Sequence, residues 1–165
     1  MFASTYAQDK AEPSIKSILL KQLKSTHTGK DWFVSATVAL DGVTADQAKW
    51  TDGSGNHSIG QLTNHLVFWN ERLLRAFKEL PEQKFSGDNE ETFNNFDAAQ
   101  WSSLLKKLDS VMAEWEKVIE ESDEAKLKGW YETIANMSTH NSYHVGQIVF
   151  NRKLQGSWDP AKGVK

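Results

Sequence analysis

An all-α four-helix bundle is the fold class predicted by this chain of 165 residues, and three observations predict it. Four segments carry apolar residues at steps of three and four, the repeat of one helix face. No segment alternates apolar and polar residues as a half-buried strand would. The connections are short or medium except one between the second and third helices, which suits helices packed as neighbours in an up-down bundle.

The first helix opens at Pro13, a residue tolerated in a first turn. Ile15, Ile18, Leu19 and Leu23, then Phe33, Val34, Val38 and Leu40, extend it to about residue 41. Gly29, close to Thr26 and Thr28, weakens its middle and is a place for a bend. Thr44-Ala45-Asp46-Gln47 has the capping-box pattern and predicts a short turn of helix ending near Trp50. "TDGSGN" (51–56) is a loop. Ser58-Ile59-Gly60-Gln61 is a second capping box, and Ile59, Leu62, Leu66, Trp69, Leu73, Phe77 and Leu80 carry the second helix to Pro81. A polar loop then runs to Asp97, the cap of a third helix striped by Trp101, Leu104, Leu105, Leu108, Val111, Met112, Trp115, Val118 and Ile119. The fourth helix spans about Gly129 to Leu154, with Ile134, Met137, Ile148 and Leu154 inward. One domain over 1–165 is expected, with 1–12 a disordered tail, 13–156 the bundle and 157–165 a C-terminal tail.

Composition narrows the function. The formal net charge is −3 with 25% charged residues, so there is no electrostatic case for nucleic-acid binding. The absence of cysteine excludes disulfides, thiolate ligands and a cysteine nucleophile. Seven tryptophans and eight phenylalanines are enough for a well-filled core. No apolar run approaches the roughly 20 residues of a membrane span. "FASTYAQDK" lacks the charged and apolar regions of a signal peptide, although Thr5 and Ala7 before Gln-Asp look like the end of a cleavage site. The expected compartment is cytoplasmic by default, or periplasmic or exported if that stretch ends a removed signal.

The five histidines carry the chemistry. His140 and His144 are four residues apart, hence on one helix face and roughly 6 Å apart along the axis, the spacing of paired zinc-protease histidines. Met137, His140, His144 and Ile148 advance by three, four and four, so the pair continues the buried stripe. Buried neutral imidazoles need partners for their ring nitrogens, and a metal supplies one to each. His65, three residues after Leu62 and four before Trp69, sits in the stripe of the second helix and is the third candidate ligand. The competing readings are an exposed pair and a satisfied core histidine. His57, in a loop, and His27, on the first helix, are expected to face solvent.

"NHSIGQLTNHLVFWN" and "STHNSYHVGQIVFNR" together resemble the DinB-like family of four-helix metalloproteins, with one histidine early in the second helix and a His-x-x-x-His pair followed by Gly-Gln-Ile in the last. "LDGVTADQAKW" looks like that family's linker. The resemblance implies a divalent ion, zinc or nickel, on His65, His140 and His144, with open positions that activate a thiol or water. It implies a thiol S-transferase or hydrolase acting on a small molecule such as a low-molecular-weight thiol, and a homodimer. The alternatives are a non-catalytic metal-binding stress or binding protein, and a metal-free interaction bundle. Around the ligands, Gln147 can orient a second ring nitrogen, while Gln61 is better spent in its capping box. Trp69 and Tyr143 are candidates for the pocket; Asn141 is expected to be exposed and Gly146 to permit close helix contact. No carboxylate falls on the histidine faces, Glu71 and Glu132 being poorly phased, so a general base is not assigned.

Overall fold

A computed structural model describes residues 12–94 and 96–163. Every regular element among them is helical, in chain order α1 (Ile15–His27), α2 (Ala36–Leu40), α3 (Ala45–Lys49), α4 (Ile59–Phe77), α5 (Glu91–Asn94), α6 (Trp101–Glu121), α7 (Glu124–Lys128) and α8 (Tyr131–Leu154), with 3₁₀ turns at Ala98–Gln100 and Pro160–Lys162. None of the described helices is long and apolar enough to cross a membrane.

The first helix is shorter than its periodicity suggests. Ser14, not Pro13, caps α1, its side chain accepting from the Ser17 N–H. The helix stops because the Gly29 N–H turns back onto the Lys24 carbonyl at 2.7 Å. A Cβ at residue 29 would lie 2.8 Å from that same oxygen, so the stop requires glycine. The chain resumes as α2 after a loop, which splits the expected helix in two. Leu19 and Leu23 are buried, but Ile15 and Ile18 are about half exposed, at 51% and 46%: a short helix against two neighbours has no room to bury all four.

Both capping boxes form, Thr44 with Gln47 and Ser58 with Gln61. α4 ends at Lys78, and Glu79 turns with φ 56° just before Pro81. Within the expected polar loop lies α5, which buries Thr92 and Phe93. Asp97 caps the 3₁₀ turn leading into α6 by accepting from the Ala99 N–H. Leu80 and Leu154, expected inward, are exposed at the helix ends. Residues 157–163 are not a free tail. Trp158 is 9% exposed and belongs to the core, under the Arg152 guanidinium at 5.3 Å. Arg152, itself buried, donates to the carbonyls of Ala39, Asp41 and Ser157. The tail expected over 1–12 falls outside the described residues except for Glu12.

The four long helices α1, α4, α6 and α8 form the bundle, each of α4 and α1 packing against both α6 and α8. Glu71 pairs with Lys107 and Glu114 with Lys78, each 36 residues apart, so α4 and α6 run parallel. Lys16 reaches the Glu120 and Ser122 carbonyls while His27 meets Glu116 and Asp109, so α1 opposes α6. Asn70 meets Asn141 and His57 meets Asn151, so α8 opposes α4. The order is up, down, down, up, and the long connection between α4 and α6 carries the chain back to start the parallel helix. Two apolar clusters fill the interior, one around Ile59, Leu66, Trp101 and Ile148, the other around Leu23, Phe77, Trp115 and Ile134. They divide at the level of Asn70 and Asn141.

Candidate metal centre

At that level on α4 and α8, three imidazoles converge. His65 is 3% and His144 6% exposed, and His140 is half-buried. His140 Nε2 lies 3.0 Å from His65 Nε2 and 3.0 Å from His144 Nε2. One ligand atom from each residue lies within 4.8 Å of the others. Three sp² nitrogens aimed at one point is the donor set of a divalent ion with positions left for exogenous ligands.

The outer nitrogens decide which tautomer points inward. Thr92 Oγ1 donates its proton to the Asn89 carbonyl at 2.6 Å. It can therefore only accept from His65 Nδ1, 2.5 Å away, which places the His65 proton on Nδ1 and its lone pair on Nε2. Gln147 does the same for His144: its amide N–H₂ donates to the Tyr143 hydroxyl at 3.3 Å, and its Oε1 accepts from His144 Nδ1 at 2.6 Å. Such outer partners orient a ligand and raise its basicity. Burial, with His144 and His140 beside it, pushes His65 down to about 3. Burial and His140 likewise push His144 down to about 4, against the opposing Gln147 bond. Burial alone lowers His140. All three rings are thus neutral near pH 7, the form a metal requires.

Phe93 from α5 stacks flat on His65, centroids 3.9 Å apart at 7°, and on its other side on His57 at 3.8 Å and 15°. His57, expected to face solvent, is instead half-buried in this stack with Glu90 3.3 Å from its Nε2. His27 also departs from expectation. It is 5% exposed, held between Glu116 at Nδ1 (2.7 Å) and Asp109 at Nε2 (2.9 Å), and it ties α1 to α6 away from the other histidines. Asn141, expected at the surface, is fully buried and exchanges reciprocal amide bonds of 2.8 and 3.1 Å with Asn70. Gly146 is exposed with open space where a Cβ would stand, so no close helix contact explains it. Gly60 is the glycine that does permit close approach: its Cβ would sit 2.2 Å from the Phe96 ring.

A cavity of about 520 Å³ opens beside the histidines, lined by Trp69, Leu73, Asn89, Phe93, Thr133, Asn136 and Met137 as well. Trp69 is therefore a pocket residue, whereas Tyr143 is exposed and reaches the site only through Gln147 and the edge of His144. None of the lining residues is acidic; Glu71 is committed to Lys107. Sequence reasoning missed Asn89, Thr92 and Phe93. The available signal was Phe93 itself, one of three phenylalanines in a largely polar stretch, whose ring must be buried somewhere.

The family profile described as the DinB superfamily matches residues 35–148. No curated protein and no solved structure matches the chain significantly.

Proposed function

The chain belongs to the DinB superfamily, and from that premise we propose that it is a metal-dependent enzyme holding zinc or nickel on the Nε2 atoms of His65, His140 and His144, of thiol S-transferase or hydrolase type. The observation that carries this reading is the convergence of three ring nitrogens, two of them with inward lone pairs set by outer hydrogen bonds, at the end of a cavity large enough for a small molecule. When bound, a divalent ion there supplies Lewis acidity, bringing the ionisation of a thiol or water at its open positions toward neutral pH. The protein's own part is positional. Thr92 and Gln147 hold two ligand rings, Phe93 shields one face of His65 from water, and the Asn70–Asn141 pair fixes α4 against α8. With no acidic side chain in the lining, the chemistry favoured is one whose proton leaves through solvent.

Elemental analysis of untagged protein, with titration of zinc and nickel into chelator-stripped protein, tests the site. Tight binding by the native chain and its loss in His140→Ala, at unchanged helical circular dichroism, is expected; a stripped protein that takes up neither ion would remove the proposal. Cobalt-loaded protein separates the enzyme from a closed bracing ion. A sulfur-to-cobalt charge-transfer band on adding 2-mercaptoethanol is the expected result, and its absence favours the bracing role. A single domain and a homodimer belong to the same proposal. The exposed Tyr143, Phe150 and Leu154 along one face of α8 support the dimer, and light scattering at micromolar concentration checks it.

A further inference from the structure

The cavity runs from the histidines along the groove between α4 and α8. On α4, Trp69 and Leu73 follow His65 at four and eight residues. On α8, Met137, Asn136 and Thr133 precede His140 at three, four and seven. That is about two helical turns, or roughly 12 Å, beyond the metal-ligating end. None of the side chains lining that stretch carries a formal charge.

Trp69 is a prepared wall. Phe68 and Phe85 brace it edge-on at centroid distances of 5.2 and 5.7 Å, and its Nε1–H donates to Asn89 Oδ1 at 3.2 Å. A ring held this way loses little freedom on meeting a ligand. That bond uses the Asn89 oxygen and leaves its amide hydrogens available. No hydrogen bond from the Asn136 amide or the Thr133 hydroxyl is found among the described residues, so both are free to meet a ligand. A carboxylate or phosphate placed against Trp69, Leu73 and Met137 would shed water without meeting a cation, which is costly. Amide and hydroxyl groups would find partners.

Resting on the reading of the three histidines as a metal site, we infer that its substrate is an uncharged amphipathic molecule with one ionisable head. The head sits at the histidines, a planar ring or apolar body lies against Trp69, and neutral polar groups face Asn136, Thr133 and Asn89. Thiols bearing several carboxylates are excluded by the same walls.

Calorimetry on zinc-loaded protein with 2-phenylethanethiol and with mercaptosuccinate tests this. The neutral thiol is expected to bind at least about tenfold tighter, and Trp69→Ala to remove about tenfold of that preference with zinc stoichiometry unchanged. Equal or tighter binding of mercaptosuccinate, or an unaltered preference in Trp69→Ala, overturns the inference while leaving the metal site standing. If the protein takes up no zinc, the metal reading fails separately. The walls are then read by saturation-transfer NMR with N-benzylacetamide on metal-free protein: transfer that Trp69→Ala abolishes sustains the neutral wall, and no transfer to the native protein defeats it.

Discussion

Thr92 is a threonine whose one hydroxyl hydrogen is already spent. Because it donates to the Asn89 carbonyl, its oxygen can serve His65 Nδ1 solely as an acceptor, and one hydroxyl orientation sets a histidine tautomer. Thr92→Val keeps the shape and removes that acceptor. Metal affinity should fall by about 10- to 100-fold with little change in helicity, as measured by competition against a chelator. Gly60→Ala is the contrasting case, a packing lesion distant in kind from the metal. The added carbon 2.2 Å from Phe96 forces that ring aside, at a cost of about 1–3 kcal/mol in urea unfolding. At this scale the three histidines that converge were legible in the sequence because each falls on an apolar stripe. Asn141 and His27 were not, because a polar residue is buried only where another element supplies its partner. Asn70 and the Glu116–Asp109 pair lie 71 and more than 80 residues away from them.

Helices α4 and α6 could be read from periodicity because each is long enough for its stripe to repeat several times. By contrast, α8 showed only the sparse stripe of Ile134, Met137 and Ile148, because Ser138, Asn141, His144, Asn151 and Arg152 take up half of its buried positions. α1 was overrun because the apolar residues of α2 continue in step across Gly29, and the backbone contact that ends the helix leaves no trace in hydrophobicity. α5 has four residues, too few for a period, so its place over His65 was invisible. The tie between α1 and α6 is open to test. His27→Ala leaves Glu116, whose side chain is 19% exposed, and Asp109 without their partner. A loss of about 1–3 kcal/mol is expected, read as a lower melting temperature with zinc uptake unaffected. A comparable loss of zinc would show that α1 shapes the site after all.

For the molecule as a whole, the proposed metal site would couple stability to both metal and acid. An ion bound only by the native state adds RT ln(1 + [M]/Kd), about 2.7 kcal/mol at a hundredfold excess over Kd. Chelation should therefore lower the melting temperature, added zinc or nickel should restore it, and His65→Ala should respond to neither. Acid acts even without metal. The folded pKa values of His65 and His144 lie at about 3 and about 4, below the unfolded value of about 6.5, so the unfolded chain binds more protons between those limits. Stability of the metal-free protein is thus fully present above about pH 6.5 and drains away as pH falls toward 4. Melting curves of stripped protein that stay flat from pH 7 to 4.5 would contradict this burial. The parallel course of α4 and α6 has a further consequence, in time rather than in space. The connection it demands brings Thr92 to His65 across 27 residues, with Phe93 next to it in the chain, whereas His140 stands 75 residues away. During vectorial synthesis one ligand can be stacked and given its tautomer while α8 is still unmade. The nascent chain then carries a half-built cradle, and on the proposed metal reading loading would wait until the last helix docks.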